Sequence, residues 1–447
     1  MSLLTLQRAE RSQELFLAPQ SWWLSPVAVP IVVAAASILP TFVIGDQKFR
    51  ELWGTPKWIT AETLFLFGCG ALALAFGALV AITATPPQQM TSRWPCLSDR
   101  SIELLTRASA VLTAITVVGY AGFAFLILHT GLNPIELFSE STAYSSGTPV
   151  RDVVGTIPGI TTMTQFGVAA VIVSSVVLAH GYSRTELMKL LTVVGFALPR
   201  ALIFSERLAI LELVLPVTVV LAGRLSASGG LQRRVANLVP VVGIVAVPGM
   251  FGFFEYFRSW AFYRHHTTSS FPEFVATRLA GYYTTALNNG QLVLDHLQWP
   301  RRLPYDTMDG FWTAPGVQQL DMYERLSGHP PPYTKTEWDS MYIGVLNHYG
   351  NPEFNSQSGY AGAIADFGHV GGVVYFLLAG VIAGLLYRGF RHGKPLGLFL
   401  YPLVFVGLLE LPRYIYWSYG RTIYAWIGLL VVVALVSRCE AIGGRKH

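Results

Sequence analysis

Charge is what this chain has least of. Only 13% of its 447 residues are Asp, Glu, Lys or Arg, against 52% that are hydrophobic, and the mean hydropathy is +0.46. A water-soluble chain of this length needs more charge to cover its surface, so two or three soluble domains are excluded and an integral membrane protein is expected. Cysteine is nearly absent. Cys69, Cys96 and Cys439 show no metal-ligand spacing and no clear pairing, which excludes a disulfide framework and a cysteine-based zinc site. The chain also lacks a P-loop, a dinucleotide fingerprint, an HExxH element and a DxD element. Chemistry on a soluble cofactor has nothing to stand on, and neither cofactor nor metal is expected. No basic arm or nucleic-acid motif accompanies the net charge of +5, so no nucleic-acid partner is expected. The opening segment, MSLLTLQRAERSQELF, has no short apolar core followed by a small-residue cleavage site. The first apolar run is therefore expected to be a retained span.

What is present is a series of apolar runs near the length that crosses a hydrocarbon core about 30 Å thick. They predict an all-α membrane protein with ten helices over residues 24–44, 62–84, 104–130, 157–180, 187–203, 206–223, 236–256, 360–387, 395–412 and 421–437. The domain reading is an N-terminal bundle of seven helices (1–256), a large extracytoplasmic loop (257–359) and a C-terminal bundle of three (360–447). Basic residues in short links set orientation. With the N-terminus inside, fifteen Lys and Arg fall in cytoplasmic segments and eight in the short outer links. The bias places both termini in the cytoplasm and the long polar segment outside.

Ionisable residues at the rims of spans are costly and mark candidate sites. Four groups map to the outer helix ends. The first is Ser205, Glu206 and Arg207, with Arg200 before and Glu212 beyond. An arginine at a helix start opposes the macrodipole; a phosphate oxygen pair suits its fork, and an internal ion pair with Glu206 or Glu212 is the alternative. The second group is Arg258, Tyr263, Arg264, His265, His266, Arg278, Tyr282 and Tyr283. Arginine and histidine beside aromatics fit a pyrophosphate carrying stacked sugars, although most basic residues of a polar segment simply meet solvent. The third runs through NHYGNPEFNSQSGYAGAIADFGHVGG and supplies His348 and Asp366. A carboxylate there would orient or deprotonate an acceptor hydroxyl, or else bond a neighbouring helix. The fourth is Glu410, Arg413, Tyr414, Tyr416, Trp417, Tyr419 and Arg421. An interfacial aromatic belt accounts for its rings but not for its arginines.

Three of these features resemble the Wzy-type oligosaccharide repeat-unit polymerases of O-antigen and capsule synthesis, and more distantly the WaaL-type O-antigen ligases. They are the S-E-R element at Ser205–Arg207, the single large polar segment late in the chain, and the D-F-G-x-x-G helix in GYAGAIADFGHVGGVVYFLLAG. The resemblance implies a metal-independent, inverting glycosyltransferase of the GT-C-like helical class. Such an enzyme moves a glycan from a polyprenyl diphosphate onto a lipid-linked repeat in the bacterial cytoplasmic membrane, sometimes beside a chain-length regulator. The implied diphosphate and glycan contacts are Arg207, Arg258, Arg264, Arg278, Tyr282, Arg413, Tyr414 and Arg421, and the implied acceptor-handling residues are Asp366, His348 and His265. The R-x10-G motif of some members is absent: Ser269, Val275 and Asn289 follow Arg258, Arg264 and Arg278 at that spacing. A ligase or single-sugar transferase using the same donor is the nearest alternative. A transporter of lipid-linked glycans is disfavoured, since neither a two-fold repeat nor mid-span charge is present.

Overall fold

The structure is a computed structural model that describes residues 21–84, 97–131, 154–204, 206–228, 230–266, 268–297, 302–333 and 335–443. Cys96, Ser205, Arg301 and the Arg258 side chain lie outside that description. Among the described residues the regular structure is helical, with no strand. The longer helices are α1 (Ala28–Val43), α2 (Asp46–Trp53), α3 (Ala61–Thr83), α4 (Asp99–His129), α5 (Gly167–His180), α6 (Arg184–Ile203), α7 (Leu208–Ser228), α8 (Gly230–Glu255), α9 (Phe271–His296), α10 (Lys335–Tyr349), α11 (Gly359–Arg391), α12 (Pro395–Glu410) and α13 (Ile423–Gly443).

Each of the ten apolar runs forms a helix. Among the described residues, seven helices are long and apolar enough to cross a membrane: α3, α4, Thr161–His180, α7, α8, α11 and Gly420–Ala441. An eighth is reached if α1 and α2, bent by 111° across Ile44 and Gly45, form one broken span. Helix α12 is 16 residues long, short of the roughly 20 that a membrane requires. Helix α6 carries Arg184, Glu186, Lys189 and Arg200, and its own charge keeps it off that list.

The helices are fixed by local chemistry at their ends and by close backbone approach in their middles. Thr60 caps α3 by accepting from the Thr63 amide at 3.2 Å, and Ser98 caps α4 by accepting from that of Ser101 at 3.3 Å. The most extensive helix pair is α3 against α11. A Cβ on Gly77 would lie 2.1 Å from the Leu377 carbonyl oxygen, and one on Gly380 would lie 2.0 Å from that of Leu74. The bare faces of these glycines therefore let the two backbones touch. Helix α11 is kinked at Gly368, whose φ of 73° only glycine adopts without strain.

The segment expected as a loop is largely helical. Helix α9 runs 26 residues, with 15 of them buried, and it packs on α11, α1 and α8. Its polar residues face inward and hold the neighbouring chain. Asn288 Oδ1 accepts from the backbone amides of Trp58 and Ile59 at 2.7 and 3.0 Å. Asn289 Nδ2 donates to the carbonyls of Phe354 and Ser356 at 2.6 and 3.0 Å. A run of Thr, Asn and Gln lowers hydropathy whether it meets water or bonds buried backbone, so composition alone does not show this helix.

Candidate functional site

The start of α7, the end of α8 and the end of α12 meet α9, α10 and the turns between elements around one cavity of about 590 Å³. Its lining includes Arg207 just before α7, Val247, Met250 and Phe251 late in α8, and Tyr282 and Tyr283 from α9. Tyr305, Asp306 and Asp309 come from the turns that follow, Trp338 and Asp339 from α10, and Glu410, Arg413, Tyr414, Tyr419 and Arg421 from the link between α12 and α13. Three guanidiniums and six carboxylates line it, the latter being Glu206, Asp306, Asp309, Asp339, Glu353 and Glu410.

The arginines are held in a network of buried charge. Glu255, fully buried at the end of α8, bridges Arg207 at 2.7 Å and Arg278 at 2.9 Å. Arg278 also pairs with Glu353 at 2.7 Å, and Tyr263 donates to the other Glu353 oxygen at 2.7 Å. Arg207 donates to the Tyr282 hydroxyl at 2.5 Å and lies over the rings of Phe251 and Tyr282, 4.1 and 4.5 Å from their centroids. Arg421 pairs with Glu212 at 2.8 Å, and Arg200 pairs with Glu206 at 2.7 Å. Burial works against the Arg278 charge, but Glu255 and the groups beside it outweigh burial and raise its pKa. Arg413 behaves likewise: burial opposes its charge and Glu410, 2.9 Å away, overcomes it. Both stay cationic at any working pH.

Arg413 and Tyr414 each carry a further donor. The Arg413 Nε and the Tyr414 hydroxyl are buried without a hydrogen-bond partner among the described residues. An unsatisfied buried donor costs on the order of 1–3 kcal/mol. Both residues line the cavity, where an oxygen from a ligand would satisfy them. Tyr305 adds a second kind of contact. Its phenol is pushed up to about 12, by burial first and then by Asp309, Tyr323, Asp306 and Glu337, so it remains a neutral hydroxyl, donating to the Tyr333 carbonyl at 2.7 Å.

Of the residues singled out in the sequence, the cavity brings together Arg207, Tyr282, Arg413, Tyr414 and Arg421, with Arg278 one layer behind. Arg264 and His265 are exposed and lie against one another at 3.0 Å, away from the lining. His348 is exposed on α10, with its ring 4.4 Å from that of Tyr349, and does not line the cavity. Asp366 does not line it either. Its carboxylate accepts from the amides of Tyr305, Asp306 and Thr307 at 2.9, 3.2 and 2.8 Å and from the Thr307 hydroxyl at 2.6 Å. With four donors on two oxygens it is a clamp on a turn. Glu255 gave no sequence signal beyond its place at a helix end. Asp306, Asp309, Trp338 and Asp339 were visible as acid beside aromatic in YDTMDGFW and EWD, but spacing alone did not place them together.

Comparison with protein-family models, with curated proteins and with solved structures finds no match.

Proposed function

We propose that this chain is a polysaccharide polymerase of the bacterial cytoplasmic membrane, transferring a glycan from a polyprenyl diphosphate donor to a lipid-linked repeat unit at the outer face. The observation that carries the reading is the cavity of about 590 Å³ at one end of apolar helices, where arginines, tyrosines and carboxylates meet. The fifteen-to-eight distribution of basic residues supports an outer location for that end. A site outside has no access to nucleotide sugars, so its donor must arrive already activated on a lipid.

Each part of the lining matches a part of such a substrate. The Arg413 fork and the Tyr414 hydroxyl supply donors for the diphosphate, whose bridging oxygen gains charge as the glycosidic bond breaks. Arg207, Arg278 and Arg421 supply positive charge from behind, each tied to a glutamate that keeps it in place. Tyr282, Tyr283, Tyr305 and Trp338 present ring faces and hydroxyls suited to sugars. Val247 and Met250 lie on α8, of whose most apolar window only 17% is buried in the protein. Such a wall suits a prenyl chain lying against the bilayer. The reaction itself needs donor and acceptor held in line more than it needs covalent help.

The test is the glycan profile of a strain lacking this chain. Single repeats capped on the final acceptor, with the polymer gone, are expected. Accumulated lipid-linked polymer would point instead to a ligase, and an unchanged profile would overturn the proposal.

A further inference from the structure

We infer that Asn355 and Ser356 determine which glycan the cavity accepts, by binding adjacent hydroxyls of a neutral sugar, and that Ser358 is a positioning residue that holds their backbone in place; this assignment rests on the polymerase reading above. The sequence joining α10 to α11, GNPEFNSQS, is polar and broken by a proline, and residues 355–358 run as irregular chain. Such chain must find partners for its own backbone, and this segment finds them on its neighbours. Asn289 Nδ2 of α9 donates to the carbonyls of Phe354 and Ser356 at 2.6 and 3.0 Å. The Gly359 amide donates to the Leu411 carbonyl at 3.1 Å. Upstream, Asn351 Nδ2 donates to the Trp53 carbonyl at 2.8 Å, and the buried Phe354 ring lies 5.3 Å from that of Tyr282. Ser358 takes φ 67° and ψ 121°, a conformation that L side chains rarely adopt and that persists only where the surroundings over-determine it. Here they do: Ser358 is fully buried against the bare face of Gly290, where a Cβ would lie 2.8 Å from that of Ser358.

Asn355, Ser356 and Gln357 all line the cavity. Gln357 is committed within the protein, accepting from Trp338 Nε1 at 3.3 Å and donating to Asp306 Oδ1 at 3.1 Å. Asn355 is exposed and Ser356 half-buried, so both are open to a ligand. A carboxamide presents a donor and an acceptor side by side, and a hydroxyl serves as either. That pattern meets a pair of adjacent sugar hydroxyls, each of which also donates and accepts. The lining carboxylates, Asp306, Asp309 and Asp339 among them, offer only acceptors when ionised, and Asp309 already takes the Gly420 amide at 3.2 Å. They hold a hydroxyl by its proton without testing its oxygen. Discrimination arises where a polar group is left unpaired by a ligand that lacks the matching hydroxyl. It therefore requires a backbone that does not move to find another partner, and the pinned link supplies one.

The experiment uses the full chain in phosphatidylethanolamine–phosphatidylglycerol liposomes, supplied with polyprenyl-diphosphate-linked repeats extracted from a strain that lacks it. Asn355→Ala and Ser356→Ala should each raise KM for the repeats by about twofold to tenfold, the range of one lost hydrogen bond. Their kcat should change little, as for contacts made equally in ground state and transition state. Ser358→Gly relieves the disfavoured φ and frees the link, so it should raise KM without loss of stability in SDS titration. The Ser358 hydroxyl has no hydrogen-bond partner among the described residues. Ser358→Ala therefore keeps the constraint and loses no bond, and its KM should rise less than that of Ser358→Gly. Unaltered KM in the Asn355→Ala, Ser356→Ala double variant overturns the assignment, as do equal KM increases in the two Ser358 variants. If Ser358→Gly fails to accumulate, the double variant decides alone. Wild-type protein that forms no glycosidic bond defeats the polymerase reading itself, whereas active wild type with unaltered KM in the double variant defeats this assignment alone.

Discussion

Glu255 is the residue on which the buried charge around the cavity depends, and replacing it with glutamine isolates its contribution. The side chain is 0% exposed and stands 2.7 Å from Arg207 and 2.9 Å from Arg278. Removing one member of a buried ion pair typically costs about 3–5 kcal/mol, because the remaining charge keeps its desolvation without its partner. Two arginines lose a partner here. Arg278 retains Glu353, and Arg207 retains Tyr282 and the faces of two rings, which are worth about 0.5–2 kcal/mol as cation–π contacts. The net loss expected for Glu255→Gln is therefore about 3–5 kcal/mol rather than twice that. Unfolding of the purified protein by SDS titration, followed by tryptophan fluorescence, measures it. The double variant Arg207→Gln, Glu255→Gln should lose less than the sum of the single losses, by about 0.5–3 kcal/mol of coupling. A Glu255→Gln loss within about 0.5 kcal/mol of zero, the range of an ordinary surface change, would refute the reasoning. So would strict additivity in the double variant.

Further outcomes follow from the same geometry. Gly380→Ala should destabilise by about 1–3 kcal/mol in the same titration, because its methyl meets the Leu74 carbonyl; Gly243→Ala, with nothing within 4 Å, should not destabilise, and equal losses would contradict the close α3–α11 contact. Arg413→Lys keeps a charge beside Glu410 but removes the Nε donor and the planar fork, so polymer synthesis should fall about tenfold, the worth of one charge-assisted hydrogen bond. Near-normal synthesis in Arg413→Ala would remove this side chain from the diphosphate site. Reporter fusions should place Trp312 outside the membrane and the α7–α8 junction inside, and the reverse result would defeat both topology and function. Synthesis should persist in excess EDTA, and a loss restored by Mg²⁺ would contradict an arginine-held leaving group.

The fold was more legible than the site. Every apolar run became a helix because burial of apolar side chains is a local property that each window of sequence carries by itself. Span status is less legible, since α6 carries charge within its run and α12 is only 16 residues long, so length and apolarity alone mark neither as a span. Helix α9 was not legible, for a reason that hydropathy cannot repair: Asn288 and Asn289 are polar and buried, with partners 65 to 230 residues away. The arginines were found from residue type and helix-end position. Their partners were only partly found: Glu206 and Glu212 were on the page as candidates, whereas Glu255 was not. Asp366 was recognised as significant, but its hold on the turn was not legible, because the amides it clamps lie some 60 residues earlier.

The most direct test of the account is reconstitution of the purified chain in liposomes with extracted polyprenyl-diphosphate-linked repeats and no other protein. The account predicts a ladder of lipid-linked glycans lengthening by whole repeats, with free polyprenyl diphosphate released in step with each bond formed. Repeats that remain single in the presence of the active, folded chain would contradict it.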